Sequence, residues 1–333
     1  RHYQLFKEAL SPLPNLVCFA IKSLSNVAVL KVLGDLGAGM DVVSVGEYLR
    51  ARAAGVPGDR IVFSGVGKTR EEMRVALEGG IRQFNVESEP EMRALSEVAT
   101  ALGLTAPIAV RVNPDVDART HRHISTGLKT SKFGVPFETA IELYRRARSL
   151  PHLEIRGIAC HIGSQLLDPA PMAEAAHKLR DLVDRLAAEG IVLEHIDLGG
   201  GLGIRYRDET PPAVADYLAP LLAVFEGRRE ELCFEPGRSL VGNAGVLLTE
   251  VLYLKSNAAK NFCIVDAAMN DLMRPAMYQA WMAIEPCRRR EGAAPVWDVV
   301  GPVCESGDWL GRDRPLAVAA SAGPGATSRQ RAH

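Results

Sequence analysis

The chain has 333 residues, of which 47% are hydrophobic and 24% charged, and its formal net charge is −1. This balance is typical of a globular protein with one large domain and a smaller one, and it gives no basic surface for nucleic acid. No apolar stretch is long enough to span a membrane, and residues 1–15, which mix Arg, Lys, Glu and Pro, do not have the pattern of a signal peptide. The six cysteines contain no Cys-x-x-Cys pair, so the sequence predicts no metal site and a cytoplasmic, reducing location.

Eight short apolar runs recur along the first two thirds of the chain, and most intervals between them have helical patterning. The runs are 16–22, 40–44, 61–65, 83–88, 108–113, 155–163, 195–201 and 232–238. The interval 172–190, for example, has apolar residues at helical spacing and closes at Gly190, which is typical of a helix end. The alternation predicts an α/β fold with a (β/α)₈ TIM barrel; a doubly wound sheet is the alternative.

The pattern changes after the eighth run, where short strand-like segments follow one another without helix-length intervals. These segments are 245–254, 262–266 and 296–300. We therefore expect a barrel over 16–244, a β-rich domain over 245–314, and a remnant of an N-terminal segment over 1–15. Residues 315–333 are rich in Ala, Gly, Ser, Pro and Arg and are expected to be disordered, because they cannot bury much apolar surface.

Polar residues follow the apolar part of nearly every run, where the strands of a barrel would open onto its catalytic face. Lys22 ends the first run, and Ser44, Ser64 and Ser88 follow the next three. A lysine in that place is costly unless it is used, and its uncharged amine would attack an aldehyde. The alternative is a surface lysine that reaches into water.

Three consecutive glycines follow the seventh run, in the segment 197–203. Glycines let backbone N–H groups approach a phosphate, and barrels often bind phosphate after the seventh and eighth strands. The segment is not a dinucleotide-binding fingerprint, because Ile204 stands where the last glycine would be required. A tight turn without a ligand is the alternative.

The end of the eighth run carries Glu235 and Arg238. A carboxylate here would keep a pyridine nitrogen protonated, and an arginine would bind a carboxylate or a phosphate. An ion pair between the two residues explains the tetrapeptide equally well.

The end of the sixth run carries His161 and Ser164. His161 would lie against an aromatic cofactor and Ser164 would bond to its phosphate; a core histidine bonded to backbone is the alternative. His121 and His123 are interpreted as a loop pair, because no third residue with suitable spacing completes a metal site.

Two segments of the second domain carry further candidates. Arg274 and Tyr278 are four residues apart, so a helical turn would place them on one face, where they suit a substrate with a carboxylate. Cys304 and Glu305 lie in a glycine-containing polar loop, where a thiol could donate a proton and a carboxylate could accept an ammonium group. For Cys304 alone, a buried structural thiol is the alternative.

Together these segments resemble the diaminopimelate decarboxylases, pyridoxal-phosphate enzymes of the alanine racemase-like barrel class, also called fold type III. The resemblance runs from about residue 16 to residue 314, and it depends on the order and number of short motifs rather than on any one of them. The matching motifs are Phe19-Ala20-Ile21-Lys22, Asp41-Val42-Val43-Ser44-Val45-Gly46-Glu47, Arg111-Val112-Asn113-Pro114, Ser131-Lys132-Phe133-Gly134, His161-Ile162-Gly163-Ser164-Gln165, Gly199-Gly200-Gly201-Leu202-Gly203, Glu235-Pro236-Gly237-Arg238, Asn270-Asp271-Leu272-Met273-Arg274-Pro275 and Cys304-Glu305-Ser306-Gly307-Asp308.

The resemblance implies decarboxylation of meso-2,6-diaminopimelate to L-lysine, the last step of bacterial lysine biosynthesis, with pyridoxal 5'-phosphate as cofactor. Lys22 would join the cofactor covalently, and the other implied cofactor residues are His161, Ser164, Gly200, Gly201, Glu235, Gly237 and Arg238. The implied substrate residues are Arg238, Arg274, Tyr278 and Glu305. Cys304 would protonate the carbon from which carbon dioxide leaves, reaching across the interface of a homodimer with shared active sites.

The chain departs from the family pattern at both ends. Family members begin with an additional strand of the second domain, and they continue after the Cys-Glu-Ser-Gly-Asp segment with further strands and a Gly-Ala-Tyr motif. The second domain is therefore expected to be truncated, and the chain to be poorly active or unstable alone. The alternatives are a related decarboxylase for arginine, ornithine or carboxynorspermidine, and a catalytically impaired relative.

Overall fold

The structure, a computed structural model, describes residues 1–118, 126–127, 131–288 and 291–317, and the backbone of 329–332. The chain forms two compact units. The barrel unit comprises residues 1–204 and 210–242, and the second unit comprises residues 205–209 and 243–333.

In the barrel unit, strands alternate with helices along the chain. The strands are β1 (Asn15–Ala20), β2 (Gly39–Val42), β3 (Ile61–Phe63), β4 (Gln83–Val86), β5 (Ala106–Asn113), β6 (Val135–Pro136), β7 (Leu153–Ala159), β8 (His195–Asp197) and β9 (Glu231–Phe234). The α-helices are α1 (His2–Leu10), α2 (Val27–Asp35), α3 (Val45–Ala53), α4 (Arg70–Glu78), α5 (Glu89–Leu102), α6 (Ala140–Ser149), α7 (Ala170–Ala188), α8 (Val214–Val224) and α9 (Arg238–Val241). Single 3₁₀ turns cover Ile21–Ser23, Gly58–Arg60 and Phe137–Thr139.

Eight of these strands close into a parallel barrel. The hydrogen-bonded order is β4-β3-β2-β1-β9-β8-β7-β5, and β4 also pairs with β5, which closes the ring. The two-residue strand β6 pairs in parallel with the carboxyl end of β5. The predicted (β/α)₈ barrel is confirmed, and the doubly wound alternative is wrong because an open sheet would leave its two edge strands unpaired.

The strands are buried because the helices cover the outer face of the barrel. Strands β2, β3 and β4 consist entirely of buried residues; β3 is wholly apolar, whereas β2 and β4 also carry buried polar side chains. Two serines predicted to lie on the catalytic face begin helices instead: Ser44 accepts the Glu47 N–H and Ser88 accepts the Glu91 N–H, each at 3.3 Å. Both therefore act as N-caps.

The second unit contains a mixed six-stranded sheet. Its strands are β10 (Leu247–Ser256), β11 (Asn261–Val265), β12 (Ile284–Pro286), β13 (Val296–Val300), β14 (Trp309–Pro315) and β15 (Arg329–Ala332), and its helix is α10 (Met273–Tyr278). The order is β12-β15-β10-β11-β13-β14, antiparallel except where β11 runs parallel to β13. The predicted β-rich second domain is confirmed, with a core that includes Val265, Trp297 and Leu310.

The observed division differs from the predicted one at both ends of the chain. Residues 1–15 belong to the barrel unit, because Phe6 and Leu10 of α1 are buried in its main core. The prediction that 315–333 is disordered is wrong for two described parts. Leu316 is buried in the core of the second unit, and β15 pairs with β10 and β12, which satisfies backbone groups that the composition of this segment does not reveal.

Candidate active site

Lys22 lies at the carboxyl end of β1, within the 3₁₀ turn that follows the strand. Its ammonium group lies 2.7 Å from Oδ2 of Asp41 at the end of the neighbouring strand β2. The Lys22 side chain is 54% exposed, whereas that of Asp41 is fully buried. Desolvation lowers the pKa of Lys22, but the negative charge and hydrogen bond of Asp41 outweigh it, so the pKa is raised and the amine carries a proton.

Asp41 is a site residue that the sequence analysis quoted only as part of a motif. Asp41 gives the Lys22 ammonium group a partner, so the lysine is less costly in this place than the sequence alone indicates. The second oxygen of Asp41, Oδ1, is buried and has no hydrogen-bond partner. A charged residue within the fully buried strand β2 was the available signal, because such a residue is retained in a core only where it is paired or used.

Glu235 follows β9 and lies within a second group of polar side chains inside the barrel. Its Oε1 accepts hydrogen bonds from Ser64 Oγ at 3.4 Å and from Asn85 Nδ2 at 3.5 Å. The same Asn85 amide reaches Asp197 Oδ2 at 3.5 Å, so the Asp197 and Glu235 carboxyl groups share one donor. Burial, followed by the charges of Asp197 and Asp41, raises the pKa of Glu235 well above its usual value, so Glu235 holds the proton that the two acids share.

A chain of buried side chains leads from the lower part of the barrel to these acids. His195 Nε2 hydrogen-bonds to Gln83 Oε1, and Gln83 Nε2 donates to Asn85 Oδ1 at 2.8 Å. Gln83 and Asn85 are two residues apart on β4, as are His195 and Asp197 on β8, so each pair points into the barrel from one face of its strand. Along this series of hydrogen bonds, every donor points towards the carboxylates. The Asn85 amide is therefore oriented with its NH₂ group facing Asp197 and Glu235.

The glycine turn after β8 packs so closely against its neighbours that it has no space for side chains. A Cβ on Gly200 would lie 2.2 Å from the Glu235 carbonyl oxygen, and one on Gly201 would lie 2.7 Å from Leu166. Gly201 also has a φ of +125°, which favours glycine. Asp197 Oδ1 accepts the Gly199 N–H at 2.8 Å and so ties the start of the turn to β8.

His161 lies beside this turn after β7. Its Nδ1 accepts the Gly200 N–H at 3.2 Å, so the proton of the neutral ring is on Nε2. Desolvation, then the positive charges of Arg111 and Lys22, lowers the pKa of His161 to about 3. The ring is therefore neutral over the physiological pH range.

Ser164 and Arg238 are close to the same turn. The Arg238 guanidinium donates to Ser164 Oγ at 3.0 Å and to Gln165 Oε1 at 3.2 Å. Glu235 hydrogen-bonds to Ser64 and Asn85, whereas Arg238 hydrogen-bonds to Ser164 and Gln165. These different partners favour separate roles for Glu235 and Arg238 over an ion pair between them. Gly237 lies between them, where a Cβ would come within 3.1 Å of Ser23 Oγ.

Within the second unit, the loop 301–308 and helix α10 carry the remaining candidates. Cys304 is exposed, so the alternative of a buried structural thiol is wrong. Glu305 Oε1 accepts the Gly307 N–H at 3.1 Å. The sequence analysis missed Asp308 as an organising residue: it is buried, and it accepts the Val303 N–H at 2.8 Å and the Met269 N–H at 2.7 Å. Asp308 thus joins this loop to the segment that leads into α10.

Arg274 on α10 lies between two aromatic rings of the second unit. Its guanidinium carbon is 5.3 Å from the ring centre of Tyr278 and 5.4 Å from that of Tyr206. The prediction that Arg274 and Tyr278 share one face of a helix is confirmed, and Tyr206 is an additional neighbour that sequence spacing did not indicate.

The structure bears on the metal and membrane predictions only through the residues that it describes. His121 and His123 lie outside the described residues. Among the residues that are described, no group of three or more His, Cys, Asp or Glu side chains could hold a metal ion. No helix in the described ranges is both long and apolar enough to cross a membrane.

The barrel residues fit pyridoxal phosphate in three respects. Lys22 provides an amine beside a buried carboxylate. Glu235 provides a proton-bearing acid that could face a ring nitrogen. The glycine turn lies so close to the Glu235 backbone that Gly200 admits no Cβ, and such glycine turns let backbone N–H groups approach a phosphate.

Comparisons with known proteins agree with this geometry. The family model for the pyridoxal binding domain of pyridoxal-dependent decarboxylases matches residues 1–242. The chain is 56% identical over 317 residues to the diaminopimelate decarboxylase of Pseudomonas aeruginosa, covering 95% of this chain and 76% of that protein. It is 54% identical over 319 residues to that of Vibrio cholerae, covering 96% and 76%.

A solved structure is similar over nearly the whole chain. The diaminopimelate decarboxylase from Helicobacter pylori, complexed with L-lysine, superposes with a TM-score of 0.92 at 42% sequence identity. The match covers 99% of this chain and 82% of that one. The chain therefore belongs to the pyridoxal-dependent decarboxylases and, within them, to the diaminopimelate decarboxylase family.

Proposed function

We propose that this protein removes one carboxyl group of meso-diaminopimelate as carbon dioxide and releases L-lysine. The observation that carries the proposal is the convergence, at one barrel mouth, of the Lys22 amine, the acid Glu235 and the three-glycine turn. Pyridoxal phosphate, when bound, supplies an aldehyde for an amine and a ring that accepts the electron pair left by carbon dioxide.

The chain's own residues prepare the amine for that chemistry. Lys22 must give up a proton before its nitrogen can act as a nucleophile. Asp41 is the nearest base, and its unpartnered Oδ1 leaves it capacity to accept a hydrogen bond. We therefore assign the proton of Lys22 to Asp41 in the reactive state.

The remaining barrel residues hold the cofactor in this proposal. Gly200, Gly201, Gly237 and Ser164 bind the phosphate, and Glu235 bonds to the ring nitrogen. The neutral His161 lies against the ring, where a cationic imidazole would oppose a protonated pyridine. Arg238 is close enough to Ser164 to share the phosphate and is also assigned to the substrate.

The distal amino-acid end of the substrate is assigned to residues of the second unit. Arg274 forms no ion pair with any described acid, so a substrate carboxylate would supply the counterion that the guanidinium lacks. Tyr278 and Glu305 complete the assignment, with Glu305 accepting the ammonium group. The exposed thiol of Cys304 donates the proton that replaces carbon dioxide on the carbon.

The active form is proposed to be a cytoplasmic homodimer with shared active sites. The family resemblance supports the dimer. The location is supported by all six cysteines being free of disulfides, including Cys18 and Cys233, whose sulfurs lie 3.7 Å apart.

Purified protein supplied with pyridoxal phosphate and meso-diaminopimelate should form L-lysine and carbon dioxide in equal amounts. Arginine, ornithine and carboxynorspermidine should not be turned over, because they lack the distal amino-acid end. Borohydride reduction should attach the cofactor to Lys22, detectable by peptide mass, and Lys22→Ala should abolish both labelling and lysine release. A labelled Lys22 without lysine release would show a catalytically impaired relative; turnover of ornithine instead would overturn the substrate assignment.

A further inference from the structure

Three residues of the second unit form a stack that we call the tyrosine clamp: Tyr206, Arg274 and Tyr278. The Arg274 guanidinium lies 5.4 Å from one ring centre and 5.3 Å from the other. A guanidinium within about 6 Å of an aromatic ring is attracted by the negative face of that ring. Two such rings restrict the rotation of the arginine more than one ring would.

Among the described residues, the Arg274 guanidinium in the tyrosine clamp has no anionic partner. No acidic side chain among the described residues forms an ion pair with Arg274, and its Nε is buried without a hydrogen-bond partner. A guanidinium has five N–H donors arranged for a planar carboxylate. Its unpartnered N–H groups therefore point to an oxygen-rich anionic group as the missing ligand.

Tyr206 is held in place by its own short turn. Glu209 Oε2 accepts the Tyr206 N–H at 3.0 Å and the Arg207 N–H at 2.7 Å. These backbone hydrogen bonds lower the pKa of Glu209, so it stays ionised and keeps the turn closed. Although neighbouring segments of the chain belong to the barrel unit, residues 205–209 belong to the second unit, where Tyr206 meets Arg274.

We propose that Tyr206 is a positioning residue that holds the Arg274 guanidinium ready for the distal carboxylate of the substrate. This inference rests on the proposed function. The ring restricts the arginine before the substrate arrives, so less conformational freedom is lost on binding. Its removal should weaken binding of any ligand with that carboxylate and leave the chemical step almost unchanged.

The test compares Tyr206→Leu, which removes the ring, with Tyr206→Phe, which keeps it. L-lysine retains the distal carboxylate and 1,5-diaminopentane lacks it. Calorimetry measures the affinity of the cofactor-loaded protein for each ligand, and the comparison separates the contribution of the carboxylate contact from that of the other contacts. In Tyr206→Leu we expect the Kd for L-lysine and the KM for diaminopimelate to rise roughly 3- to 30-fold, the range of a single cation–π contact. The kcat and the Kd for 1,5-diaminopentane should change less than about twofold, and Tyr206→Phe should restore the affinity for L-lysine.

Tyr253→Leu is the matched control, because Tyr253 is 65% exposed on the sheet and touches none of the proposed binding residues in the contacts described. Equal loss of affinity for both ligands, or unchanged affinity for L-lysine in Tyr206→Leu, would overturn the inference. If Tyr206→Leu does not fold, Tyr206→His gives the same test. Its ring stacks when neutral and repels Arg274 when protonated, so L-lysine affinity must fall more steeply on acidification than in the wild type.

The two proposals fail in different measurements. Absence of lysine formation by the wild type would refute the proposed function. Normal turnover by the wild type with no difference between the leucine and phenylalanine variants would refute only the role of Tyr206.

Discussion

Glu235 shows how a single residue balances stability against function. Its carboxyl group is surrounded by Asp197, Asp41 and the Asn85 amide, and its pKa is raised well above the usual value, first by burial and then by the two acids. Because the folded protein keeps a proton that the unfolded chain releases, the contribution of Glu235 to stability is complete below its unfolded pKa and declines as the pH rises through its folded pKa. In the absence of cofactor, Glu235 thus makes the barrel less stable at neutral pH.

We predict that Glu235→Gln makes the cofactor-free protein more stable at pH 7. Glutamine resembles the protonated acid, and its NH₂ group can donate to Asp197. Because glutamine does not titrate, folding of the variant requires no proton uptake at this position. The free energy of unfolding, measured by urea titration, should exceed that of the wild type at pH 7, and the difference should shrink towards pH 4. The kcat should fall at least about 100-fold, the usual scale for one preorganised electrostatic contact. A variant less stable than the wild type at pH 7 would contradict the proton assignment.

At the scale of elements, the ends of the barrel strands decide what the site can hold. The 3₁₀ turn after β1 carries Lys22, and the turn after β8 brings Gly200 against the Glu235 backbone. The turn after β8 could not admit a side chain on Gly200 without moving the Glu235 backbone that follows β9. The site is therefore built from short connections on a rigid barrel, which keeps its geometry fixed.

Gly200→Ala tests the glycine turn. The new methyl group would lie 2.2 Å from the Glu235 carbonyl oxygen, so the turn must move and its N–H groups must leave the phosphate. We expect pyridoxal phosphate to bind roughly 10- to 100-fold more weakly, equivalent to losing one or two charge-assisted hydrogen bonds, measured by absorbance titration.

Gly67→Ala is the control for that variant, because its Cβ would meet no atom within 4 Å and its φ is not in the left-handed region. It should bind the cofactor as the wild type does. Equal binding by the two variants would show that the turn after β8 does not hold the phosphate.

The fold at this scale was largely predictable, because burial leaves a local record in the sequence. All eight barrel strands coincide with a predicted apolar run, with ends shifted by a few residues. The roles of Ser44 and Ser88 were not predictable in the same way: a serine after a strand suits a ligand site and an N-cap equally, and only the bond to the third backbone N–H decides.

For the molecule as a whole, the buried His195 and the half-buried His161 contribute to the response to acid. Burial lowers the pKa of both His161 and His195 to about 3, assisted by Arg111 and by Arg82 respectively. The unfolded chain takes up these protons near pH 6.5, and the folded barrel does so only near pH 3. Stability that depends on the neutral rings is therefore lost as the pH falls through this interval.

We predict that the free energy of unfolding of the barrel decreases on acidification from pH 6.5 to pH 4, by up to about 1.4 kcal/mol per pH unit for each histidine. Urea titrations at a series of pH values measure this slope. His161→Asn keeps an acceptor for the Gly200 N–H and should reduce the slope. A slope identical to that of the wild type would show that His161 takes up its proton in the folded barrel as readily as in the unfolded chain.

The candidate residues were found in the sequence as motifs, but their partners were not. Lys22, Glu235 and Arg274 stood out because each is a charged group at the end of an apolar run or on a short helix. Asp41 and Asp197 did not stand out, since a single acid in a buried strand carries no local mark of the group opposite it. Their contacts with Lys22 and Glu235 join the ends of consecutive strands that a helix separates in the chain.

The sequence by itself determined the order of strands and helices, the barrel class and the family, because periodicity, glycine turns and motif order are local properties that survive in one dimension. Only the tertiary structure decided which acids surround Glu235, which carboxylate pairs with Lys22, and that Tyr206 stacks on Arg274. Those contacts depend on which strand ends meet across a closed barrel and on which unit a short segment joins. Both follow from packing between separate elements, on which residue spacing within one element carries no information.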